Sequence, residues 1–166
     1  MVVQEQSWRD PGLKAGEAFT GFDIDTIAMA TGRRTRLLRT PANEAQARFS
    51  PDGRWLAYMS DESGRFEVYV QPFPFTGAKY QVSPNGGSQP VWRRDGRELF
   101  FIGADARLMA TGVKASPTFA ADTPVALFDT RIGIPTEPFL HSYATVDGQR
   151  FLINSVAPGS GATIGI

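Results

Sequence analysis

Two segments of the sequence repeat each other at a distance of 43 residues. Residues 49–59 read Phe-Ser-Pro-Asp-Gly-Arg-Trp-Leu-Ala-Tyr-Met, and residues 92–102 read Trp-Arg-Arg-Asp-Gly-Arg-Glu-Leu-Phe-Phe-Ile. A weaker third copy, Ala-Thr-Val-Asp-Gly-Gln-Arg-Phe-Leu-Ile-Asn, occupies residues 144–154. A period of roughly 40–45 residues, made of short strands, is typical of β-propeller blades. The repeat therefore predicts an all-β chain built from blades.

Turn chemistry divides each repeat into strands. Ser50-Pro-Asp-Gly53 places proline second and glycine fourth, as in a type I turn, and the Asp-Gly pairs at 95–96 and 147–148 take the same place. We therefore expect Gly53 and Gly96 to have positive φ. No helical period is visible. The predicted strands are 22–29, 35–39, 47–49, 55–60, 66–72, 79–83, 90–92, 98–103, 108–113, 124–128, 140–144 and 150–155, with a closing strand at 162–166.

Residues 47–58, Ala-Arg-Phe-Ser-Pro-Asp-Gly-Arg-Trp-Leu-Ala-Tyr, with Glu-Val-Tyr-Val at 67–70, resemble the TolB-type, WD-repeat-like β-propeller family. The longer run 43–101 resembles the C-terminal propeller of bacterial serine/threonine protein kinases. The resemblance covers about residues 21–155 and implies that each Asp-Gly hairpin joins the innermost two strands of a blade. No kinase motif is present, so no kinase chemistry is implied.

The strand count predicts an incomplete ring. After an irregular arm at residues 1–20, the partial propeller at 21–166 opens with two outer strands, runs through two complete blades and ends on two inner strands. This amounts to about three four-stranded blades, whereas propellers have four to eight. We therefore expect a homodimer of six blades, the number usual for TolB-type domains, closed by strand exchange. The closing strand at 162–166 competes with 22–29 for the same slot.

Composition excludes several classes of function. Seventeen basic residues balance 17 acidic ones, so we expect neither nucleic acid nor a membrane as a partner. The chain has no cysteine and one histidine, His141, which excludes thiolate zinc sites and cysteine nucleophiles. Residues 1–10 lack the basic region and apolar core of a signal peptide. We expect a soluble protein of the bacterial cytoplasm or periplasm.

The repeat register predicts a ring of polar side chains. Counting back three positions from the aligned residues 49, 92 and 144 gives Gln46, Gln89 and His141. The starts of the innermost strands surround the mouth of a propeller channel, and Glu44, Arg48 and Tyr143 are close to the same rim in sequence. Two interpretations stay open: these residues bind a ligand or metal, or they hydrogen-bond channel water and neighbouring strands.

Carboxylates offer a second candidate site. Asp23 and Asp25 share one face of a strand, because strand side chains alternate with a period of two. Oxygen-rich sites bind hard cations such as Ca²⁺, and propeller lactonases of similar architecture hold Ca²⁺ near the channel. The alternative is that both are solvated surface carboxylates. The Asp-Gly turns are expected to be structural.

Two functions are therefore predicted. The first is a non-catalytic module that binds a protein, a peptide or a small molecule through its loops and channel mouth. The alternative is a Ca²⁺-dependent hydrolase of lactones or esters. No Gly-x-Ser-x-Gly motif surrounds Ser88 or Ser160, which disfavours a serine hydrolase.

Overall fold

The computed structural model describes residues 21–115, 118–132 and 140–155 and the backbone of residues 2–5. Every regular element in this part of the chain is a β-strand, and no helix in it is long and apolar enough to cross a membrane. The strands are β1 (Val2–Glu5), β2 (Asp23–Ile27), β3 (Arg34–Leu38), β4 (Glu44–Phe49), β5 (Trp55–Ser60), β6 (Glu67–Pro72), β7 (Tyr80–Gln81), β8 (Gly87–Trp92), β9 (Glu98–Gly103), β10 (Arg107–Ala115), β11 (Phe119–Ala121), β12 (Val125–Asp129), β13 (Tyr143–Thr145) and β14 (Phe151–Ile153). The predicted all-β class is confirmed.

The antiparallel sheets follow the repeat. The first consists of β1, β2 and β3, the second of β4 to β7 in chain order, and the fourth of the inner pair β13 and β14. In the third, β8, β9 and β10 are followed by two short strands, β11 and β12, which both pair with β10. The sequence predicted a single fourth strand in this sheet, at residues 124–128. Apart from this difference, the sheets form the predicted partial propeller of two full blades and two part-blades.

The sheets pack face to face through three apolar clusters. The second strand of a full blade is buried on both faces, which explains the continuous apolar runs of β5 and β9. In β9, Leu99 and Phe101 face the second sheet, whereas Phe100 and Ile102 face the fourth. In β5, Leu56 and Tyr58 face the first sheet. The innermost strands β4 and β8 of the two full blades lie close to each other.

The hairpin turns have the predicted geometry. The Gly53 amide donates to the Ser50 carbonyl and the Gly96 amide to the Arg93 carbonyl, both at 2.9 Å. Gly53 and Gly96 have φ values of 70° and 71°. Asp52 Oδ1 accepts the Arg54 amide at 3.1 Å and the Ser50 hydroxyl at 2.6 Å, and the second bond is the main reason why the pKa of Asp52 falls to about 2. Asp95 and Asp147 likewise accept backbone N–H groups of their own turns, at 3.0 Å and 2.9 Å, in agreement with the structural role expected for the three aspartates.

The N-terminal segment differs from the prediction. Val2–Glu5 forms β1, which pairs antiparallel with β2, so the expected irregular arm is wrong for these residues. The remaining arm residues and the predicted strand at 162–166 lie outside the described part. In the predicted dimer, β2 pairs with a strand of the partner chain. Because β1 and β3 already occupy both edges of β2, this exchange requires β1 to dissociate from β2. The homodimer stays a prediction.

Replacing Gly53 with valine should lower the free energy of unfolding by about 1–3 kcal/mol, because a β-branched residue is strained at positive φ. A Cβ at this position would meet no atom within 4 Å, so the cost comes from the backbone alone. Gly53→Asn is the matched control and should cost less, since asparagine tolerates this region. Equal urea midpoints for Gly53→Val and the wild type would contradict the turn assignment.

Light scattering at micromolar concentration should give twice the mass of one chain. The half-blade of β13 and β14 leaves Leu140, Val146 and Leu152 exposed by 63%, 70% and 79%, and a second copy would cover this apolar surface. Leu152→Asp should shift the protein to a monomer, while Val125→Asp, at a residue of β12 that is 58% exposed and lies outside the exchanged strands, should not. A stable wild-type monomer would contradict the closed ring.

Candidate functional site

Two equivalent β-bulges shape the predicted rim. In the pairing of β4 with β5 the register shifts between Ala45 and Arg48, and in the pairing of β8 with β9 it shifts between Ser88 and Val91. Gln46 and Gln89 occupy these bulges with φ values of 56° and 57°. A non-glycine residue in this region costs on the order of 1–3 kcal/mol and persists only where its surroundings compensate. The two repeats thus hold the same strained backbone at the same place.

Hydrogen bonds between blades compensate for this strain. The Gln46 side chain is buried. Its Oε1 accepts the backbone N–H of Gln89 at 2.6 Å, and its Nε2 donates to the Leu140 carbonyl at 3.0 Å. Gln89 Oε1 accepts the Ser142 amide at 2.5 Å, and the Tyr143 hydroxyl donates to the Gln89 carbonyl at 2.8 Å. One network therefore joins the start of β4 to the start of β8 and to the segment that leads into β13.

His141 joins this network through Arg48. Arg48 Nη2 lies 3.1 Å from His141 Nδ1, and the Arg48 carbonyl accepts the Trp92 indole N–H at 3.1 Å. Burial and the Arg48 charge lower the pKa of His141 to about 4, and an interaction with the Pro90 backbone opposes them only in part. The imidazole is therefore neutral at pH 7. Because Nδ1 accepts from the guanidinium, its proton is on Nε2.

Glu44 is a fully buried carboxyl at the start of β4, exposed by 1%. Burial raises its pKa to about 7, with smaller contributions from the charges of Asp23 and Glu62, while the hydrogen bond from the Thr40 hydroxyl to Oε1 lowers it. The Glu44 amide donates to the Phe22 carbonyl at 2.7 Å, which holds the segment before β2 against β4. A carboxyl with a pKa near 7 can exchange a proton at neutral pH.

The proposed metal ligands are not arranged around a common point. Asp25 is paired with Arg34 at 3.8 Å and with Arg36 at 3.9 Å, so guanidinium groups surround its carboxylate. In residues 21–115, 118–132 and 140–155, no three acidic or histidine side chains could together hold a metal ion. Calcium binding by Asp23 and Asp25 gains no support from this arrangement and stays a prediction.

The structure thus unites five of the predicted rim residues, Gln46, Gln89, His141, Arg48 and Tyr143, with Glu44 at the start of the same strand as Gln46. Sequence reasoning missed Thr40, whose hydroxyl meets Glu44; a hydroxyl residue four positions before a buried acid was the available signal. It also missed Ser142 and Leu140, which contribute only backbone atoms and so leave no signal in the sequence.

A second buried carboxylate, Glu67, lies two strands from Glu44 in the same sheet, since Ser60 pairs with both residues. Glu67 Oε2 accepts the Ser83 hydroxyl at 2.6 Å and the Gly86 amide at 2.9 Å, and Arg65 Nε donates to Oε1 at 2.6 Å. Ser83 and Gly86 also line a cleft of about 370 Å³. Since the oxygens of Glu67 are satisfied by the protein, we assign it to the structure of the loop between β7 and β8.

Changing Glu44 to glutamine should remove a pH dependence of stability. Because the folded-state pKa of about 7 exceeds the ordinary 4.5, ionisation destabilises the folded protein as the pH rises from 4.5 to 7. Between pH 4.5 and 7, the free energy of unfolding of the wild type should therefore fall by on the order of 1–3 kcal/mol relative to that of Glu44→Gln. Urea titrations at several pH values measure this difference; parallel profiles between pH 4.5 and 8 would contradict the buried, protonatable carboxyl.

The chain is similar to solved structures, but it matches no protein family. No protein-family model matches the sequence, and no curated protein matches it. The putative TolB of Agrobacterium tumefaciens is similar with a TM-score of 0.48 and 18% identity, over 63% of this chain and 42% of that one. TolB of Acinetobacter baumannii has a TM-score of 0.48 and 17% identity, over 64% of this chain and 28% of that one.

An oligogalacturonate lyase of Vibrio parahaemolyticus is also similar, with a TM-score of 0.42 and 22% identity, over 53% of this chain and 26% of that one. This chain spans less than half the length of each of these proteins. At such identities a likeness concerns the fold alone. The assignment of the chain to the all-β, partial-propeller class rests on its own repeated sheets.

Proposed function

We propose that the protein is a binding module whose ligand, a small molecule or a segment of protein or peptide, contacts the rim where β4, β8 and β13 begin. One observation carries this proposal. Among the described residues, four buried side-chain atoms make no hydrogen bond: Asp25 Oδ1, Glu44 Oε2, Gln89 Nε2 and His141 Nε2. Three of the four belong to residues predicted to form the rim.

Such atoms are costly in a folded protein. A buried donor or acceptor without a partner costs about 1–3 kcal/mol, and most native proteins avoid it. Gln46, at the same position in its repeat as Gln89, has both ends of its amide bonded to the protein. The rim therefore combines satisfied side chains that hold the blades together with unsatisfied ones that can hold a ligand.

Catalysis has weaker support than binding. His141 Nδ1 faces Arg48, and no described serine hydroxyl is hydrogen-bonded to the ring, so a Ser-His pair is absent from this part of the chain. Glu44 has a pKa suited to proton transfer, but the rim offers no group of ligands for Ca²⁺. The Ca²⁺-dependent hydrolase therefore remains the alternative predicted from the sequence.

An unbiased screen of fragments and peptides, followed by protein NMR, tests the binding function. Ligands should shift the amide resonances of residues 44–48, 87–92 and 140–143, because these backbone segments carry the rim. His141→Ala should weaken the binding of these ligands about tenfold while leaving the melting temperature unchanged, because the His141 ring bonds only to Arg48 among the described side chains.

The matched control is Gln149→Ala, in the turn after β13, which should leave binding unchanged. Ligands that bind only elsewhere, or equally well to His141→Ala, would contradict the assignment of the rim. The same titrations with Ca²⁺ and with a chelator address the alternative: rim binding or ester hydrolysis that disappears on chelation would favour the hydrolase.

A further inference from the structure

We propose that the cleft beside the loop between β7 and β8 binds a ligand that joins an aromatic ring to a protonated amine. None of the predicted rim residues lines this cleft, so the inference goes beyond the proposed function. The cleft has a volume of about 370 Å³. An apolar cavity of roughly 150 Å³ is large enough to bind benzene. The cleft therefore has room for one aromatic ring and its substituents.

Three connections between strands form the walls of the cleft, and hydrogen bonds hold each of them. Glu67 Oε2 accepts two hydrogen bonds from the loop 83–86, at 2.6 Å and 2.9 Å. A backbone hydrogen bond of 3.0 Å closes the turn 103–106 between β9 and β10. The carbonyl of Asp122, which precedes the third wall, accepts the Thr111 hydroxyl at 2.6 Å. The cleft is thus formed before a ligand arrives, which lowers the entropic cost of binding.

The inner part of the cleft is apolar. Phe101 of β9 and Met109 of β10 are partners across the two strands, so their side chains lie next to each other on one face of the sheet. Pro84 and Pro124 add apolar surface at the loops. Residue 103 is a glycine, and a Cβ there would lie 3.2 Å from Met109 Cγ, so a side chain would crowd this surface. Phenyl and thioether groups make favourable contacts with aromatic rings, which makes a ring the best-suited group for this surface.

Asp105 provides the charge of the cleft, because it is the only ionisable residue that lines it. Its Oδ1 accepts the Arg107 amide at 3.2 Å, and its Oδ2 lies 3.6 Å from Arg107 Nε. Both of these side chains are more than half exposed, and such a surface pair contributes little free energy. An ammonium group of a ligand can therefore take the place of the guanidinium. A protonated amine is the group whose charge complements this lining.

Two further polar side chains lie at the cleft. Asn85 and Thr123 are exposed, and neither side chain makes a hydrogen bond within the described part of the chain. Their oxygen atoms are acceptors that remain available beside the Asp105 carboxylate. An ammonium group has three N–H donors, so it can use more than one of these acceptors. The cleft thus combines an apolar inner surface with polar acceptors and a negative charge.

Phenethylamine, hydrocinnamate and butylamine test the inference. The first has both features, the second has the ring with the opposite charge, and the third has the amine without the ring. Titrations followed by the methyl resonance of Met109, with exposed Met29 as the reference, should show phenethylamine binding about tenfold more tightly than butylamine, because the ring buries apolar surface. It should bind about fivefold more tightly than hydrocinnamate, because the carboxylate of Asp105 is partly screened by solvent.

Asp105→Asn should abolish the preference for phenethylamine over hydrocinnamate, since asparagine keeps an oxygen for the Arg107 amide and loses the charge. Asp129→Asn is the matched control and should keep the preference. Asp129 Oδ1 accepts the Arg131 amide at 2.9 Å in the same Asp-x-Arg arrangement, but Asp129 does not line the cleft.

Three results would overturn the inference. The first is a Met109 methyl resonance that phenethylamine does not shift, whether or not residues of the rim respond. The second is equal affinity of phenethylamine with either of the other two compounds. The third is a preference that survives Asp105→Asn or is lost equally in Asp129→Asn. None of these results affects the binding function proposed for the rim, because that function is read from the resonances of residues 44–48, 87–92 and 140–143.

Discussion

The amide of Gln46 connects three repeats of the chain through two hydrogen bonds. Its oxygen reaches Gln89, 43 residues away, and its nitrogen reaches the carbonyl of Leu140, 94 residues away. Glycine would remove the cost of the positive φ at this bulge, but it would also remove the amide. The strained backbone at Gln46 therefore accompanies the side-chain amide that connects the blades. The positions of Gln89, His141 and Arg48 depend on it.

The same arrangement explains why the rim is chemically asymmetric. Gln46 uses its whole amide in joining neighbouring blades, whereas Gln89 uses only its oxygen. In the third repeat the residue is His141, whose Nδ1 contacts Arg48 and whose Nε2 is a donor. A glutamine at this position would offer both a donor and an acceptor. Two blades with the same bulge, and the half-blade that follows them, thus carry three different side-chain roles. A repeated scaffold can acquire a specific site in this way without any change in its strands.

Local chemistry made much of this fold predictable from the sequence. The Asp-Gly hairpins depend on adjacent residues, and the strand spans of β5 and β9 were predicted with the observed bounds because both are continuous apolar runs. The register of positions 46, 89 and 141 also identified residues that share one network. Pairings between distant segments were not predictable: β1 beside β2, the divided fourth strand at β11 and β12, and the two arginines beside Asp25 leave no local signal.

A crystal structure at neutral pH, at a resolution that shows ordered water, tests the central claim most directly. We expect Gln89 Oε1 on the Ser142 amide, with electron density for solvent or a ligand at about 3 Å from Gln89 Nε2 and from His141 Nε2. Density that places both nitrogen atoms on protein acceptors, or a reversed Gln89 amide, would contradict the account of the rim as a binding site.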